Sequence, residues 1–371
     1  MKKKRDISRI AALFTWFVLL SLFLLNHSTS LAQAVQVLPD AHITGVATEG
    51  QQIWFSTYGA GIRMYSTKTD KWTVYSTKEK NVEADFFYCI AVSKEFVWAG
   101  ASDGLYILNR KNNRWTKRKF AAGGEYGNWI RALYYDAGGE KLYIGRFINL
   151  STYDLKTQKY EDFDLTQGGD PKTNNFTVIE PDGKNTLWFG SEAGVFQYDK
   201  TKKLQDKSSI RFLNNKGNGF RNEGTYVTLS GIIPDHGNLW FATEEYTTQD
   251  NPSFNIGGLY KFNRRAGWEK YDRRTGFPGN GISTILKTGD LIWLGLYVFE
   301  RNTKTKLGQG LYIFNRTTGK ISRANPDELQ LTANLITKLH FDSVYLWIGT
   351  ESGLWKVKLK NDFAVFPKKK K

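Results

Sequence analysis

Apolar and polar positions alternate along this chain in short runs, and one such pattern recurs. From Leu346 it reads LWIGTESGLWKV: an apolar run holding an aromatic, a small polar turn, then Gly and a second apolar and aromatic alternation. That pattern predicts strand, tight turn, strand. Trp54, Trp98, Tyr143, Trp188, Trp240, Trp293 and Trp347 hold the same place in seven copies, separated by 44, 45, 45, 52, 53 and 54 residues. A repeat of this period, with several short strands and one recurrent aromatic, predicts β-propeller blades in preference to a helical array. The expected fold class is all-β, a single seven-bladed β-propeller of four-stranded antiparallel blades over residues 35–367.

Each copy offers four strands, lettered A to D from the axis outward. Strand A is expected at 43–47, 87–91, 130–134, 176–180, 229–233, 282–286 and 336–340. Strand B holds the signature aromatic, strand C follows the turn, and strand D is an aromatic-ended stretch such as Trp72 to Tyr75. Two segments compete to close the ring, Val35 to Leu38 and Phe363 to Phe366. An unclosed ring would leave two bare edges. The C-terminal segment is the expected outer strand of the last blade, with the N-terminal one beside it or loose.

Composition sharpens this picture. A length of 371 residues allows two or three domains, but the repeat collapses them to one whose core is spread over the seams between blades. The 12 Trp, 19 Tyr and 24 Phe suit such seams, because flat rings bury much area between sheets. Residues 1–34 stand apart. Lys2, Lys3, Lys4, Arg5 and Arg9 precede an uncharged run from Ile10 to Leu25, and Ala32-Gln33-Ala34 gives a small-x-small site. The expectation is a signal peptide cut after Ala34, with an uncleaved anchor as the alternative. No Cys follows the apolar run, so no lipid-modified terminus is expected.

The formal charge is +16, and removing residues 1–34 would subtract five positive charges and one negative, leaving +12. For an exported basic protein, nucleic acid is not the expected partner; acidic glycans, lipid head groups or other acidic surfaces are. Cys89 is the single cysteine, so no intrachain disulfide forms, and an apolar strand setting argues against a catalytic thiol.

Several segments resemble the two-component regulator propeller repeat of bacteria. Asn280-Gly281-Ile282-Ser283-Thr284-Ile285, preceded by Gly276-Phe277-Pro278-Gly279, is similar to that family's connector into strand A. Leu187 to Gly190 and Leu346 to Thr350 match its strand B, and Gly194 to Asp199 and Gly258 to Asn263 its strand C. The resemblance spans about residues 41–367. It implies the propeller fold and a sensing part of the kind joined to membrane histidine kinases. With no kinase in these residues, the expectation is a detached, exported sensor-like or scaffold module, monomeric and without a cofactor. Blade 3 departs most from the pattern, with Arg146 where a small residue is usual and Asn149-Leu150 in place of Gly-Leu or Gly-Ile.

In propellers the D-to-A connectors and B-to-C turns share the top face. Three features of the sequence fall there. Asn128, Asn174, Asn280 and Asn334, with Asp85, each stand two residues before the first apolar residue of strand A. They are candidates for a ligand, although turn capping is the plainer role for Asn and Asp. The next ring along is Thr44, Tyr88, Arg131, Thr177, Ser230, Ser283 and Thr337. Its hydroxyls suit inner-edge backbone groups, whereas Arg131 must pair with a carboxylate such as Glu192 or Glu351 or await an anion. The third feature is a pair of long B-to-C turns, Thr243 to Gly257 and Leu296 to Gln309, offering Tyr246, Phe254, Tyr297 and Phe299 with Glu244, Glu245 and Arg301. The binding candidates are therefore Arg131, Tyr88, Arg146, Asn128, Asn174, Asn280, Asn334, Glu244, Tyr246 and Tyr297, for an unknown small molecule, glycan or protein partner.

Enzyme signals are thin. No Ser-His-Asp order, P-loop or metal-ligand spacing appears. The enzymatic alternative is a metal-assisted lyase or hydrolase resembling virginiamycin B lyase, which needs a His with acidic residues on one face. His42 and His236 are expected on opposite faces, against such a pairing. On the bottom face the C-to-D turns sum to +12 around a mildly acidic centre, and Lys368 to Lys371 form a basic tail. This annulus could hold the protein against an anionic membrane or polysaccharide.

Overall fold

The computed structural model describes residues 34–359 apart from 218, 246–255 and 325–328. Seven four-stranded antiparallel sheets stand in a ring, and the protein is a seven-bladed β-propeller. Blade 1 runs Ile43–Glu49, Gln52–Thr57, Ile62–Ser66 and Lys71–Tyr75 in order from the axis, and five further blades repeat that meander. No helix among the described residues is long and apolar enough to cross a membrane.

The closure differs from the sequence expectation. Strands A to C of blade 7 are Ile336–Phe341, Tyr345–Thr350 and Gly353–Lys358, and the outer strand beside them is the N-terminal Val35–Pro39. Val35 stands opposite Lys356 and Pro39 opposite Gly353, so the outer edge of strand C is already taken. The segment 363–366, favoured for that place by its aromatic ends, lies outside the described residues.

The signature LWIGT has a packing reason at each position. Trp54, Trp98, Trp188, Trp240 and Trp347 are fully buried and cross to the following blade, as where Trp188 meets Phe241 at 5.9 Å and Trp347 meets Tyr65 at 5.3 Å. Several indole N–H groups are satisfied at the end of their own strand A: Trp188 donates to Asp182, Trp240 to Asp235 and Trp293 to Thr288, each the last residue of the strand, and Trp347 to Asp342, the residue just after it. The glycine is needed for close approach. A Cβ on Gly349 would stand 2.7 Å from Cβ of Ile43, the first residue of the next blade's strand A. Removing the side chain therefore lets the neighbouring aliphatic residue seat against the sheet.

A bulge falls just after the first apolar residue of strand A in blades 1 and 3 to 7, as between Ile43 and Gly45. It turns the residue that follows toward the next blade. Thr44 Oγ1 donates to the Phe87 carbonyl at 2.7 Å, Thr177 Oγ1 to the Leu229 carbonyl at 2.7 Å, and Ser283 Oγ to the Ile336 carbonyl. The inner hydroxyls of blades 1, 4 and 6 thus stitch those blades to the next, whereas the buried hydroxyls of Ser230 and Thr337 make no such bond.

Candidate functional site

The amide ring holds the top connectors in place. Strand D of blade 2 ends at Arg118, and two residues later the Phe120 N–H donates to Asn128 Oδ1 at 2.7 Å. At the same offset, Leu165 N–H donates to Asn174 Oδ1 at 3.0 Å, Arg273 N–H to Asn280 Oδ1 at 2.9 Å, and Thr77 N–H to Asp85 Oδ1 at 2.9 Å. These four side chains each close the turn leading into their own blade, satisfying a backbone donor that the strand has released. The Asn334 carbonyl accepts from Gly310 N–H at 2.9 Å, and residue 325, at the equivalent offset, lies outside the described residues.

Two further candidates lie below the surface. Arg146 is fully buried, donating to the carbonyls of Ala122 at 3.0 Å and Gly127 at 2.8 Å and pairing with Asp162 at 3.1 Å. It ties the connector entering blade 3 onto that blade, and burial pulls its guanidinium below the usual arginine range. Tyr297 is also fully buried, and its hydroxyl accepts from Glu245 N–H at 3.0 Å. Burial raises that phenol well above its ordinary value. Glu244 stays at the surface, paired with Lys306 at 2.8 Å, and Tyr246 lies outside the described residues. The long turn of blade 6 is an ordered hairpin, in which strands B and C extend to Glu300 and from Thr305 with Phe299 opposite Lys306.

Arg131 and Tyr88 come together on the top face over blades 2 and 3, among aromatic rings that the sequence did not single out. The Arg131 guanidinium pairs with Glu192 at 2.7 Å and donates to Asn175 Oδ1 at 2.6 Å, the first being one of the two expected carboxylates. It lies 5.6 Å from the ring of Trp129 and 5.8 Å from that of Phe147. These rings belong to an arc. Tyr58 meets Phe86 at 4.9 Å and Tyr88 at 5.7 Å, Tyr88 meets Trp129 at 5.4 Å, Trp129 stacks on Phe147 at 5.1 Å, and Phe147 meets Tyr126 at 5.6 Å. His42 lies at one end, 5.9 Å from Tyr58, with its imidazole held below the usual range by burial against the opposing pull of Glu351. Tyr58, Phe86 and Tyr126 are 46%, 53% and 61% exposed, unusual for rings of this size with so many partners. Each ring sits on a top connector or B-to-C turn of blades 1 to 3. The aromatic letters at those loops were the available signal, but they stand at different offsets in each blade and form no repeat.

The axis encloses a cavity of about 260 Å³. An aliphatic belt of Val46, Ile90, Leu133, Ile179, Ile232, Ile285 and Leu339 lines it, together with Cys89, Glu180 and Lys338. Burial pushes the Cys89 thiol up to about 12 and the Glu180 carboxyl up to about 7, and lowers the Lys338 ammonium. The Cys89 thiol, 3.8 Å from the Ile130 carbonyl, is thereby kept protonated and unreactive. Among the described residues no three His, Cys, Asp or Glu side chains group as a metal site. His42 is in the top connector, whereas His236 is on a bottom turn 3.3 Å from Asp235.

No family model matches the sequence, and no curated protein does. Solved structures do match. The extracellular domain of a hybrid two-component system from B. thetaiotaomicron superposes with a TM-score of 0.65 at 18% identity, covering 89% of this chain and 40% of that one. The chain thus spans well under half of that neighbour's length. Virginiamycin B lyase from Staphylococcus aureus superposes with a TM-score of 0.63 at 12% identity, covering 88% and 99%. PorZ, a surface component of the type-IX secretion system of Porphyromonas gingivalis, gives 0.59 at 14%, covering 84% and 46%. The shared property is the fold. The propeller is thus of the architecture found in the extracellular domain of a two-component system, and more distantly in the lyase.

Proposed function

We propose that this protein is an exported, non-catalytic recognition module, sensor-like or scaffolding, that binds a ligand or protein partner through its top face. The aromatic arc over blades 1 to 3 carries this reading. Rings that are half exposed yet mutually packed form a rigid apolar platform, and at its inner edge the Arg131 and Glu192 pair supplies polar contacts. Rigid aromatic surface with a charged rim is the composition of recognition sites, because it gives contact area at little cost in side-chain entropy. The leader-like first 34 residues and the extracellular setting of a structural neighbour support export.

The test screens the chain from Val35 onward against immobilised glycans and against envelope proteins. Tyr58→Ala and Tyr126→Ala, both at exposed rings, should each weaken the binding found by about tenfold while leaving the melting temperature near the parent's. Binding that survives both changes would remove the arc from the proposal. The lyase alternative rests on likeness of fold. A protein of that kind should melt at a higher temperature in Mg²⁺ or Mn²⁺, by linkage between binding and folding.

A further inference from the structure

We propose a second site, a cleft on the bottom face between blades 3 and 4 that binds a uronic-acid oligosaccharide. The cleft has a volume of about 620 Å³, within the size range of small-molecule sites. It occurs where the repeat is broken twice. Tyr143 stands where the other six blades carry Trp. Its cross-strand partner on the same face is Thr152, where the other blades have Met64, Ile107, Gln197, Lys261, Ile313 and Lys356. Both residues are the smallest of their sets. In blades 5 and 7 the partner lysine covers the indole, with Nζ of Lys261 5.7 Å from Trp240 and that of Lys356 5.1 Å from Trp347. In blade 3 the buried Tyr143 ring packs against Phe189 at 6.0 Å and Tyr198 at 6.4 Å, but the short Thr152 extends no side chain over it, and the cleft opens beside this pair.

One wall of the cleft is a single row across the blade: Tyr134 opposite Tyr143, Tyr143 opposite Thr152, and Thr152 opposite Glu161. Tyr143 and Thr152 lie buried at the floor of this row, 4% and 3% exposed, and the groups it opens to the cleft are the Tyr134 phenol and the Glu161 carboxylate. The loss of the indole N–H also changes Asp136, the last residue of strand A, which in blade 3 pairs with Lys200 of blade 4 at 2.5 Å. Across the gap the long C-to-D turn of blade 4 brings Lys200, Lys202 and Lys203, and the A-to-B turn brings Lys184. Five lysines and three carboxylates line the cleft. Asp136 pairs with Lys200, Asp154 with Lys141, and Lys202 donates to the carbonyl of Ser208. Lys184, Lys203 and Glu161 have no ion pair among the described residues.

This donor and acceptor set selects the ligand class. Two free ammonium groups call for carboxylates, while Glu161 and the Tyr134 phenol call for hydroxyl groups. A phosphate-rich surface would satisfy the lysines but oppose Glu161. A chain of uronic acids offers both kinds of group on one rigid ring.

The experiment titrates the chain from Val35 onward with oligogalacturonate and with hyaluronan oligosaccharide, against neutral cellotetraose and phosphatidylglycerol vesicles, at physiological ionic strength. A uronic-acid probe should bind and cellotetraose should not. Tyr143→Trp with Thr152→Met installs the pair that blade 1 already packs as Trp54 and Met64. Asp235, which accepts from both Trp240 at 3.3 Å and Arg316 at 2.9 Å, shows that one carboxylate can serve an indole and a cation together. This variant should lose binding by about tenfold or more. Lys184→Glu with Lys203→Glu should do the same, whereas Arg264→Glu with Arg265→Glu, an equal charge change on a bottom turn of blade 5, should stay within about twofold. Failure of both uronic-acid probes to bind, binding to vesicles alone, or equal losses from the two charge reversals would overturn the proposal. If the filled variant does not fold, the two charge reversals decide.

Discussion

Arg131→Ala should lower the melting temperature by about 4 °C. The guanidinium makes two hydrogen bonds, to Glu192 and Asn175, that would contribute about 1.5–3 kcal/mol each if kept from water. The Arg131 and Glu192 side chains are 23% and 26% exposed, which pulls the ion pair toward the surface range of about 0.2–1 kcal/mol. Its position over Trp129 and Phe147 adds about 0.5–1 kcal/mol. The sum is about 2 kcal/mol, and at this chain length each kcal/mol moves the midpoint by about 2 °C. Urea unfolding of the parent, Arg131→Ala, Glu192→Gln and the double variant isolates the pairwise part. A coupling of about 1 kcal/mol is expected, shrinking at high salt. A coupling within about 0.3 kcal/mol of zero, with Arg131→Ala melting as the parent does, would refute this account. The guanidinium would then be uncommitted and available to an anion.

Glu180→Gln should flatten a pH dependence. The folded-state carboxyl titrates near 7 against an unfolded value of 4.5, so the folded state holds its proton longer. Stability should therefore be highest below the unfolded value, fall as pH rises between the two, and level off above 7, with at most about 2–3 kcal/mol lost. Equal slopes in the parent and Glu180→Gln over that window would sink the assignment. Trp347→Ala should cost about 3–5 kcal/mol, measured by urea unfolding, because its indole fills the seam against Phe55 and Tyr65. A loss under about 1 kcal/mol would mean the closing seam is loosely packed. Cys89 should react with a maleimide only as fast as the protein unfolds, since its thiol is held protonated in the axial cavity. Labelling at the rate of a free thiol in native buffer would contradict that.

The blades were legible because a seam between twisted sheets repeats its demands. One large ring recurs in every blade, and two residues later a glycine stands in five of the seven, with Ser56 and Ala242 in the others, so positions such as Trp347 and Gly349 carry the period in the sequence. The inner hydroxyls were legible for the same reason. The closing strand was not: a lone alternating segment such as Val35–Pro39 carries no mark of which edge it joins. Arg146 and Tyr297 resembled surface candidates because polar groups at loop positions look alike whether they face water or a neighbouring backbone. The aromatic arc escaped because its rings come from unlike places in three blades, and only the closed ring of blades sets Tyr58 beside Phe86 and Trp129 beside Phe147.

Pairing Val35–Pro39 with Gly353–Lys358 ties together segments more than three hundred residues apart in a chain of 371. Contacts this distant form late, since the loop they close must first be ordered from within. Six blades can be completed from their own consecutive strands, but the seventh waits for the beginning of the chain to meet its end. Until then one edge of strand C stays open to pair with another copy. An emerging chain therefore stays unfinished until its last blade is available. Such a folding order would be compatible with the proposed export, in which the polypeptide would cross a membrane before acquiring its final shape.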